Sequence, residues 1–307
     1  MNQVTQLNTS WSQRLRRREQ PSHSELCEHL LEVHRQHTGF TEICASRSRD
    51  PEGRNSYQWL ADLVDPDRHR NLLDLACGSG ALTALCHQRF GKRIALIGVD
   101  MSAEELALAR QRIPDPAVAL HCAMAQDMGF IADQTLDAVL CHWGLTLMDP
   151  VEPVLAEVRR VLRPGGLFAA IVDGDLHAAP GYPELHHLIY DQVQRNYPGY
   201  GDIDLGDRRI RTTEALAGLL AQTFRGADIR IEPTVVSQLA DAHALAQEAA
   251  GFFMPPSCCP QARARRCCSR SRPCSARMVA TVWGAFRCRS IGFWCSWRRV
   301  DARSCTH

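Results

Sequence analysis

Short apolar runs alternate with helix-like segments through the middle of this 307-residue chain, and this alternation limits the fold more than any other feature. Five apolar runs predict strands at residues 72–76, 93–100, 118–122, 136–141 and 167–172. Helical spacing between them predicts helices at residues 81–90, 102–112 and 150–161. Strand–helix repeats of this length predict a doubly wound, parallel sheet with helices on both faces. Every loop that follows a strand then lies at one edge of the sheet, where α/β proteins bind ligands.

Further elements flank this repeat. Residues 227–236 and 290–300 predict a sixth and a seventh strand, so we expect an α/β fold with a seven-stranded, mostly parallel sheet. Residues 24–37 have the spacing of an amphipathic helix with Ser22 or Ser24 as its N-cap, residues 56–64 resume that spacing, and residues 44–55 between them predict a loop. We therefore divide the chain into an N-terminal helical lid (1–66) and a ligand-binding domain (67–256) with an insertion at residues 173–211.

The last 51 residues have an unusual composition. Residues 257–307 hold 11 arginines, one acidic residue and eight of the 14 cysteines, which leaves residues 1–256 with 24 basic and 33 acidic residues and a net charge of −9. The run 257–279 has neither helical nor strand periodicity, and we interpret it as an anomalous, frameshifted segment, with 280–307 as the last strand and a tail. A zinc module and a basic nucleic-acid tail are the alternatives, but paired CxxC spacing with downstream histidines is absent, so we predict no metal site.

The first strand leads into a glycine turn that favours ligand binding. Residues 72–80 read LLDLACGSG, in which Asp74 is followed by Gly78 and Gly80, the residue type that lets a backbone approach a ligand closely. A second acid, Asp100, ends the next strand, where a carboxylate accepts hydrogen bonds from ribose hydroxyls. The third glycine of a dinucleotide fingerprint is replaced by Thr83, which argues against NAD. Ser102 with a glutamate three residues later predicts a capping box on the following helix.

These motifs together resemble the class I S-adenosylmethionine (SAM)-dependent methyltransferases. The DLACGSG run at 74–80 is similar to motif I of that family, and the VDMS run at 99–102 is similar to the end of its second strand. The LDAVL run at 136–140 resembles motif IV, and the LRPGG run at 162–166 resembles the turn before strand five. The resemblance covers residues 71–172 and implies a Rossmann-like sheet with SAM as the cofactor.

The resemblance also implies which residues hold SAM. Asp100 would hold the ribose, Met101 would pack on the adenine, and Gly78 would lie under the methionine part. Ala125 and Gln126 would meet the edge of the adenine, with Asp127 nearby. The full set of cofactor residues implied by the resemblance is Asp74, Ala76, Gly78, Ser79, Gly80, Asp100, Met101, Ala125, Gln126, Asp127, His142 and Tyr57. One departure is Met124, which stands where an acid is common in the family and leaves the partner of the adenine amine open.

The residues after strands four and five are candidates for the acceptor side. His142 is the candidate catalytic base, because the resemblance puts it beside the methyl group; the alternative is a packing or hydrogen-bonded loop histidine. The candidate acceptor residues are Trp143, Asp173, Tyr182 and Tyr190, and for the last three the alternative is a surface position in the insertion. Arg54 and Tyr57 could instead reach the SAM carboxylate from the lid.

We therefore predict a methyltransferase that acts on a small-molecule acceptor, in secondary metabolism. The Asn-Pro-Pro-Tyr motif typical of enzymes that methylate nucleic-acid amines is absent, and the acidic first 256 residues disfavour a nucleic-acid partner. Two alternatives stay open: a non-methylating enzyme that cyclises SAM to azetidine-2-carboxylate and releases methylthioadenosine, and an inactive SAM-binding regulator. The polar N-terminus and the lack of a long apolar run predict a cytoplasmic protein without a membrane partner, while the oligomeric state is left open.

Overall fold

The computed structural model describes residues 8–174, 176–203, 205–238 and 286–296. The chain divides into two compact units. One contains the described residues of 1–55, 175–204 and 235–289, and the other contains those of 56–174, 205–234 and 290–307. The predicted frameshifted segment, 257–279, lies outside the described residues.

The larger unit is built on a sheet whose five central strands are parallel. They are β1 (Asn71–Leu75), β2 (Ala95–Asp100), β3 (Ala119–Cys122), β4 (Leu136–His142) and β5 (Leu162–Asp173), in the order β3-β2-β1-β4-β5. Next to β5 lies β7 (Phe286–Ser296), which is antiparallel, and β6 (Asp228–Gln238) follows it in the strand order. The prediction of an α/β fold with a mostly parallel sheet is confirmed.

Apolar side chains cover both faces of the sheet. Leu73, Val139 and Phe168 pack in a cluster on one face, while their neighbours Leu72 and Leu140 pack on the other. Strands buried on both sides read as continuous apolar runs, which is why these segments could be found in the sequence. The helices of this unit are α4 (Ser56–Asp62), α5 (Ala81–Phe90), α6 (Ala103–Arg112), α7 (Glu152–Val161) and α9 (Thr213–Thr223).

The predicted turn at 163–166 is wrong in its detail, because β5 already begins at Leu162. Leu136 is opposite Leu162, whereas Ala138 is opposite Leu167, so the register shifts across the RPGG segment. The extra residues of β5 are accommodated as an irregularity of the ladder. The turn sequence therefore bends a strand that has already started pairing with β4.

The smaller unit contains four α-helices among its described residues: α1 (Ser10–Arg17), α2 (His23–Gln36), α3 (Glu42–Arg47) and α8 (Tyr182–Gln194). Ser22 caps α2 and forms a capping box with Glu25, as one of the two predicted caps. The α1 helix was not predicted; its charged sequence hides an apolar pair, Trp11 and Leu15, which is buried. The predicted loop at 44–55 is wrong at its start, where α3 lies, and α4 belongs to the unit that contains the sheet.

Candidate functional site

The carboxyl ends of β1, β2 and β4 meet at one edge of the sheet, where the candidate residues of the larger unit are found. Asp74 on β1 is opposite Gly98 of β2 and Leu140 of β4, so the loops that leave these strands are neighbours. The backbone of Cys77 donates to the carbonyl of Val99 over 3.0 Å and fixes the first loop on the second strand. The three loops are therefore held close together at this edge.

The turn after β1 has three residues in the left-handed region: Ala76 (φ 57°), Gly78 (φ 51°) and Gly80 (φ 76°). A Cβ at Gly78 would meet no atom of the described part of the chain within 4 Å, so this position leaves space for a ligand beside the backbone. A Cβ at Gly80 would lie 2.8 Å from the Cβ of Ala109 on α6. The structure thus gives the two glycines different tasks: Gly80 lets two helices pack, and only Gly78 opens the backbone towards a ligand.

The carboxylate of Asp74 is buried, and only one of its two oxygens has a hydrogen-bond partner among the described residues. Its side chain is 1% exposed, and one carboxylate oxygen accepts a hydrogen bond from the Thr83 hydroxyl over 2.6 Å. The other oxygen, Oδ1, is buried and has no hydrogen-bond partner among the described residues. Burial raises the pKa of Asp74 to about 7, and the charge of nearby Asp100 adds to this effect. A buried carboxylate with an unused oxygen next to an open glycine turn suits a polar or cationic group of a ligand.

Asp100 organises the turn from the neighbouring strand. One of its oxygens accepts the backbone N–H of Gly78 and the other accepts that of Ser102, each over 2.8 Å. The predicted capping box is therefore only half right: the Ser102 hydroxyl accepts the N–H of Glu105, but its own N–H is bonded to Asp100. A carboxylate at the end of the second strand is a group that can accept hydrogen bonds from ribose hydroxyls.

The loop after β3 continues the same edge. The N–H of Ala123 donates to the carbonyl of Asp100 over 3.0 Å, and the N–H of Asp127 donates to Met124 over 3.0 Å in a tight turn. Among the predicted adenine-side residues, Ala125 and Met101 are half-buried, whereas Gln126 and Asp127 are exposed. Ser79 is buried and accepts a hydrogen bond from Arg112 over 3.3 Å. The structure therefore brings the residues implied for the adenine and the ribose to adjacent loops.

His142, at the end of β4, is enclosed by residues of α4 and by its own neighbour. Its Nε2 is 2.7 Å from the hydroxyl oxygen of Ser56, and its ring stacks on Tyr57 with centroids 4.1 Å apart. The Trp143 ring lies 4.8 Å away on a tilt. Desolvation by these groups lowers the pKa of His142 to about 3. A neutral imidazole that is so weakly basic suits a hydrogen-bonding role at this position better than the predicted role of a general base.

The loop that begins at His142 packs closely against the glycine turn after β1. A Cβ at Gly144 would lie 2.5 Å from the Cβ of Ala76 and 3.2 Å from the sulfur of Cys141. Trp143 has a left-handed backbone (φ 61°) and donates its N–H to the carbonyl of Ile171 over 2.8 Å. The close approach fixes His142 and Trp143 beside the turn that carries Gly78.

The other acceptor candidates divide between the two units. Asp173 ends β5 and donates its N–H to the Thr146 hydroxyl over 3.3 Å; burial raises the pKa of its carboxyl, against an opposing effect of Arg211. Tyr182 and Tyr190 lie on α8 in the smaller unit and contact His186. Arg54 also belongs to that unit, and its guanidinium donates to Asp50 over 2.9 Å. Asp173 is therefore the acceptor candidate that shares a unit with His142 and Trp143.

Two contacts of the site were missed by sequence reasoning. Ser56 was noted only as a helix start, and its bond to His142 joins residues 86 positions apart. Thr83 was noted only as a missing glycine, although its hydroxyl positions Asp74. A polar residue on the buried face of the helix after the turn was the available signal for Thr83, whereas nothing in the local sequence signals the Ser56 contact.

Comparisons with known proteins agree with this geometry. Residues 73–170 match the family model described as "Methyltransferase domain". The ubiquinone/menaquinone biosynthesis C-methyltransferase UbiE of Desulfotalea psychrophila is 34% identical over 169 residues, which cover 51% of this chain and 64% of that protein. The 2-phytyl-1,4-naphtoquinone methyltransferase of Thermosynechococcus vestitus is 35% identical over 117 residues, which cover 38% and 51%. The chain thus spans 48% to 64% of the length of the first four curated relatives.

A solved structure shares the fold at low identity. The YcgJ protein of Bacillus subtilis superposes with a TM-score of 0.51 at 14% identity, over 80% of this chain and 99% of that one. The open direction at Gly78 and the unused oxygen of Asp74 fit a SAM cofactor at the turn. Residues 73–170 are a methyltransferase domain of the class I SAM-dependent family, with its Rossmann-like fold.

Proposed function

We propose that this chain transfers the methyl group of SAM to a small-molecule acceptor. The observation that carries the proposal is the bond between the Asp100 carboxylate and the N–H of Gly78, which holds a glycine turn open beside an acid that can accept ribose hydroxyls. Asp74 lies below the same turn with one oxygen unused. This set of groups suits a charged nucleoside without a diphosphate.

Each residue of the site has a limited task in this proposal. When bound, SAM supplies a methyl group on a sulfonium, so the protein needs only to align the acceptor and exclude water. Asp100 and Asp74 would hold the cofactor at its ribose and methionine ends. His142, kept neutral by Tyr57 and Trp143, would offer a hydrogen bond to the acceptor or border the methyl group without becoming charged.

The acceptor class is the finer part of the proposal. The relatives are named as quinone methyltransferases, and the aromatic rings of Tyr57 and Trp143 that pack around His142 suit a planar acceptor in the same place. We infer a hydroxylated aromatic acceptor, such as a reduced naphthoquinone or a related secondary metabolite. Methylation of an acceptor hydroxyl or of a ring carbon releases one proton, and Asp173 is the candidate to receive it because burial raises the pKa of its carboxyl.

We also retain three proposals about the surroundings of the site. The complete sheet has seven strands, the helices of residues 1–66 act as a lid, and the protein works in the cytoplasm without binding nucleic acid. Within the described residues, no helix has both the length and the apolar character needed to cross a bilayer.

To test this proposal, the purified chain is incubated with SAM and a panel of reduced naphthoquinones and naphthols, and the products are identified by mass spectrometry. S-adenosylhomocysteine (SAH) together with a methylated acceptor supports the proposal. Methylthioadenosine would instead indicate the cyclising alternative, and calorimetric binding of SAM without any turnover would indicate a regulator. A chain that binds no SAM, with Asp100→Ala behaving like the wild type, would overturn the proposed function.

A further inference from the structure

Arg160, near the end of α7, donates hydrogen bonds from all three nitrogens of its guanidinium. Its Nε and Nη2 donate to the two oxygens of Glu157 over 2.7 and 2.8 Å. Its Nη1 donates to the carbonyl of Ile131 and to the Asp133 carboxylate, both over 2.7 Å, and Nη2 also reaches the carbonyl of Met128 over 2.9 Å. One side chain therefore binds three residues of the loop between β3 and β4.

Glu157 completes the clamp from the same helix. It accepts the backbone N–H of Met128 over 3.0 Å, so the two sides of this residue's backbone are bonded to the ion pair. The Met128 side chain is fully buried in the core cluster of that face. Charge-assisted hydrogen bonds are about twice as strong as neutral ones. The side chains of Arg160 and Glu157 are only 27% and 19% exposed, so solvent weakens the pair less than it weakens a surface pair.

The position of this clamp connects it with the cofactor site. Met128 directly follows Asp127, the last of the three residues implied for the adenine side. The other end of the same loop is fixed by the bond from Ala123 to Asp100. Residues 124–127 thus lie between the bond to Asp100 at the end of β2 and the contacts of Arg160, and their position depends on both.

We propose that Arg160, through Glu157 and Met128, is a positioning residue that sets how tightly the nucleoside end of the cofactor is held. The inference rests on the proposed function, because it assigns the loop at 124–127 to the nucleoside. Arg160 itself contacts the loop backbone, so its effect on binding is transmitted by the placement of the loop.

Arg163 offers a matched control on the same stretch of chain. Its guanidinium also pairs with a carboxylate, that of Asp137 over 2.6 Å, and with a carbonyl, that of Gln134 over 3.2 Å. These partners lie at the start of β4, at the other end of the strand from His142. Loss of Arg163 removes comparable bonds without releasing Met128.

The test compares Arg160→Met, Arg160→Lys and Glu157→Gln with Arg163→Met at a temperature where all are folded. Calorimetry measures the Kd for SAH and for 5′-methylthioadenosine, which has the nucleoside but lacks the amino-acid arm. We expect Arg160→Met to raise the Kd of both ligands by a similar factor of about 10 to 100, which is the scale expected when a contact is misplaced. Arg163→Met should change neither Kd by more than about twofold. The milder Arg160→Lys and Glu157→Gln variants should show smaller losses of the same pattern and serve if Arg160→Met does not fold.

Hydrogen exchange of the ligand-free proteins supplies the second readout. Amides of residues 124–128 should exchange faster in the Arg160 variants and not in Arg163→Met, whereas a general loss of stability would speed exchange throughout the sheet. Unchanged Kd values for both ligands, or unchanged exchange in this loop, would overturn the inference. A wild type that binds neither ligand would refute the proposed function, while the exchange measurement would still decide whether Arg160 fixes the loop.

Discussion

Asp74→Asn should make the ligand-free protein more stable at pH 8, although it removes a residue of the candidate site. The carboxyl has an ordinary pKa of 3.8 and a pKa of about 7 in the fold because it is buried. The difference between these two pKa values corresponds to about 4 kcal/mol in the free energy of unfolding. The folded chain is less stable by this amount when the Asp74 carboxyl is ionised. This difference already includes the favourable hydrogen bond from the Thr83 hydroxyl, and the amide oxygen of asparagine can accept the same hydrogen bond.

The sign follows from proton binding. Between pH 4 and 7 the folded chain retains a proton on Asp74 that the unfolded chain has lost, so the free energy of unfolding falls as the pH rises through this window. Above pH 7 the destabilisation is complete and constant. Asparagine does not titrate, so the variant should exceed the wild type by up to about 4 kcal/mol at pH 8 and match it near pH 4.

Guanidinium-induced unfolding of both proteins without ligand, at pH 4.5 and pH 8, measures this difference. Thr83→Val is the companion variant: it removes the hydroxyl that favours the ionised carboxylate, so it should destabilise more at pH 8 than at pH 4.5. If wild type and Asp74→Asn show the same dependence of stability on pH, the carboxyl is not an uncompensated buried charge and the reasoning is refuted.

Three further predictions concern the glycine turn, Asp100 at the end of β2 and His142 at the end of β4. Gly80→Ala should lower the free energy of unfolding by about 1–3 kcal/mol, because the new Cβ would overlap Ala109. Gly78→Ala should lower it by about 1 kcal/mol and should also weaken SAM binding. Chemical denaturation measures the stability of each variant, and calorimetry measures its affinity for SAM. Asp100→Ala should weaken SAM binding by about 1–3 kcal/mol, and an unchanged Kd would count against the pocket. Because the pKa of His142 is about 3, its ring should stay neutral from pH 5 to 9 in NMR titrations, and His142→Gln should leave the shape of the pH–rate profile unchanged.

The central sheet could be predicted from the sequence because its strands are buried on both faces. The helix expected at residues 81–90 is α5 (Ala81–Phe90), and the strand expected at 136–141 is β4 with one more residue, His142. The residues of the glycine turn and the two acids were also identified, since their spacing along the chain is set by one strand–turn–helix unit. Local spacing was therefore enough wherever one unit contained the whole feature.

The sequence did not predict features that depend on partners far along the chain. The environment of His142 comes from Ser56 and Tyr57, and it changes the expected base into a weakly basic, neutral ring. The separate tasks of the two glycines depend on where α6 packs, which a single turn sequence does not contain. The short helix α3 was expected as a loop because its polar sequence shows no apolar period long enough to detect.

Asp137 is the natural counterpart of Asp74, because both carboxylates lie on neighbouring central strands but at opposite ends. Asp137 accepts the backbone N–H groups of Arg70 and Asn71, each over 2.9 Å, and pairs with Arg163 over 2.6 Å. Desolvation alone would raise its pKa, but these donors outweigh it and lower the pKa of the carboxyl. Its contribution is stabilising at neutral pH and is lost as the pH falls through the lowered pKa, the reverse of Asp74.

Asp137→Asn should therefore lower the free energy of unfolding at pH 8 by about 1–3 kcal/mol, with a smaller effect in acid, when the wild-type carboxyl is itself protonated. Measured beside Asp74→Asn under the same conditions, the two variants should shift stability in opposite directions. A fold selected only for stability would give both carboxylates enough hydrogen-bond donors to stabilise their charges. If Asp74→Asn raises the free energy of unfolding while Asp137→Asn lowers it, Asp74 is kept for a partner other than the protein itself. Equal losses in both variants would instead make Asp74 an ordinary structural acid, and the argument for its role in holding a cofactor would fail.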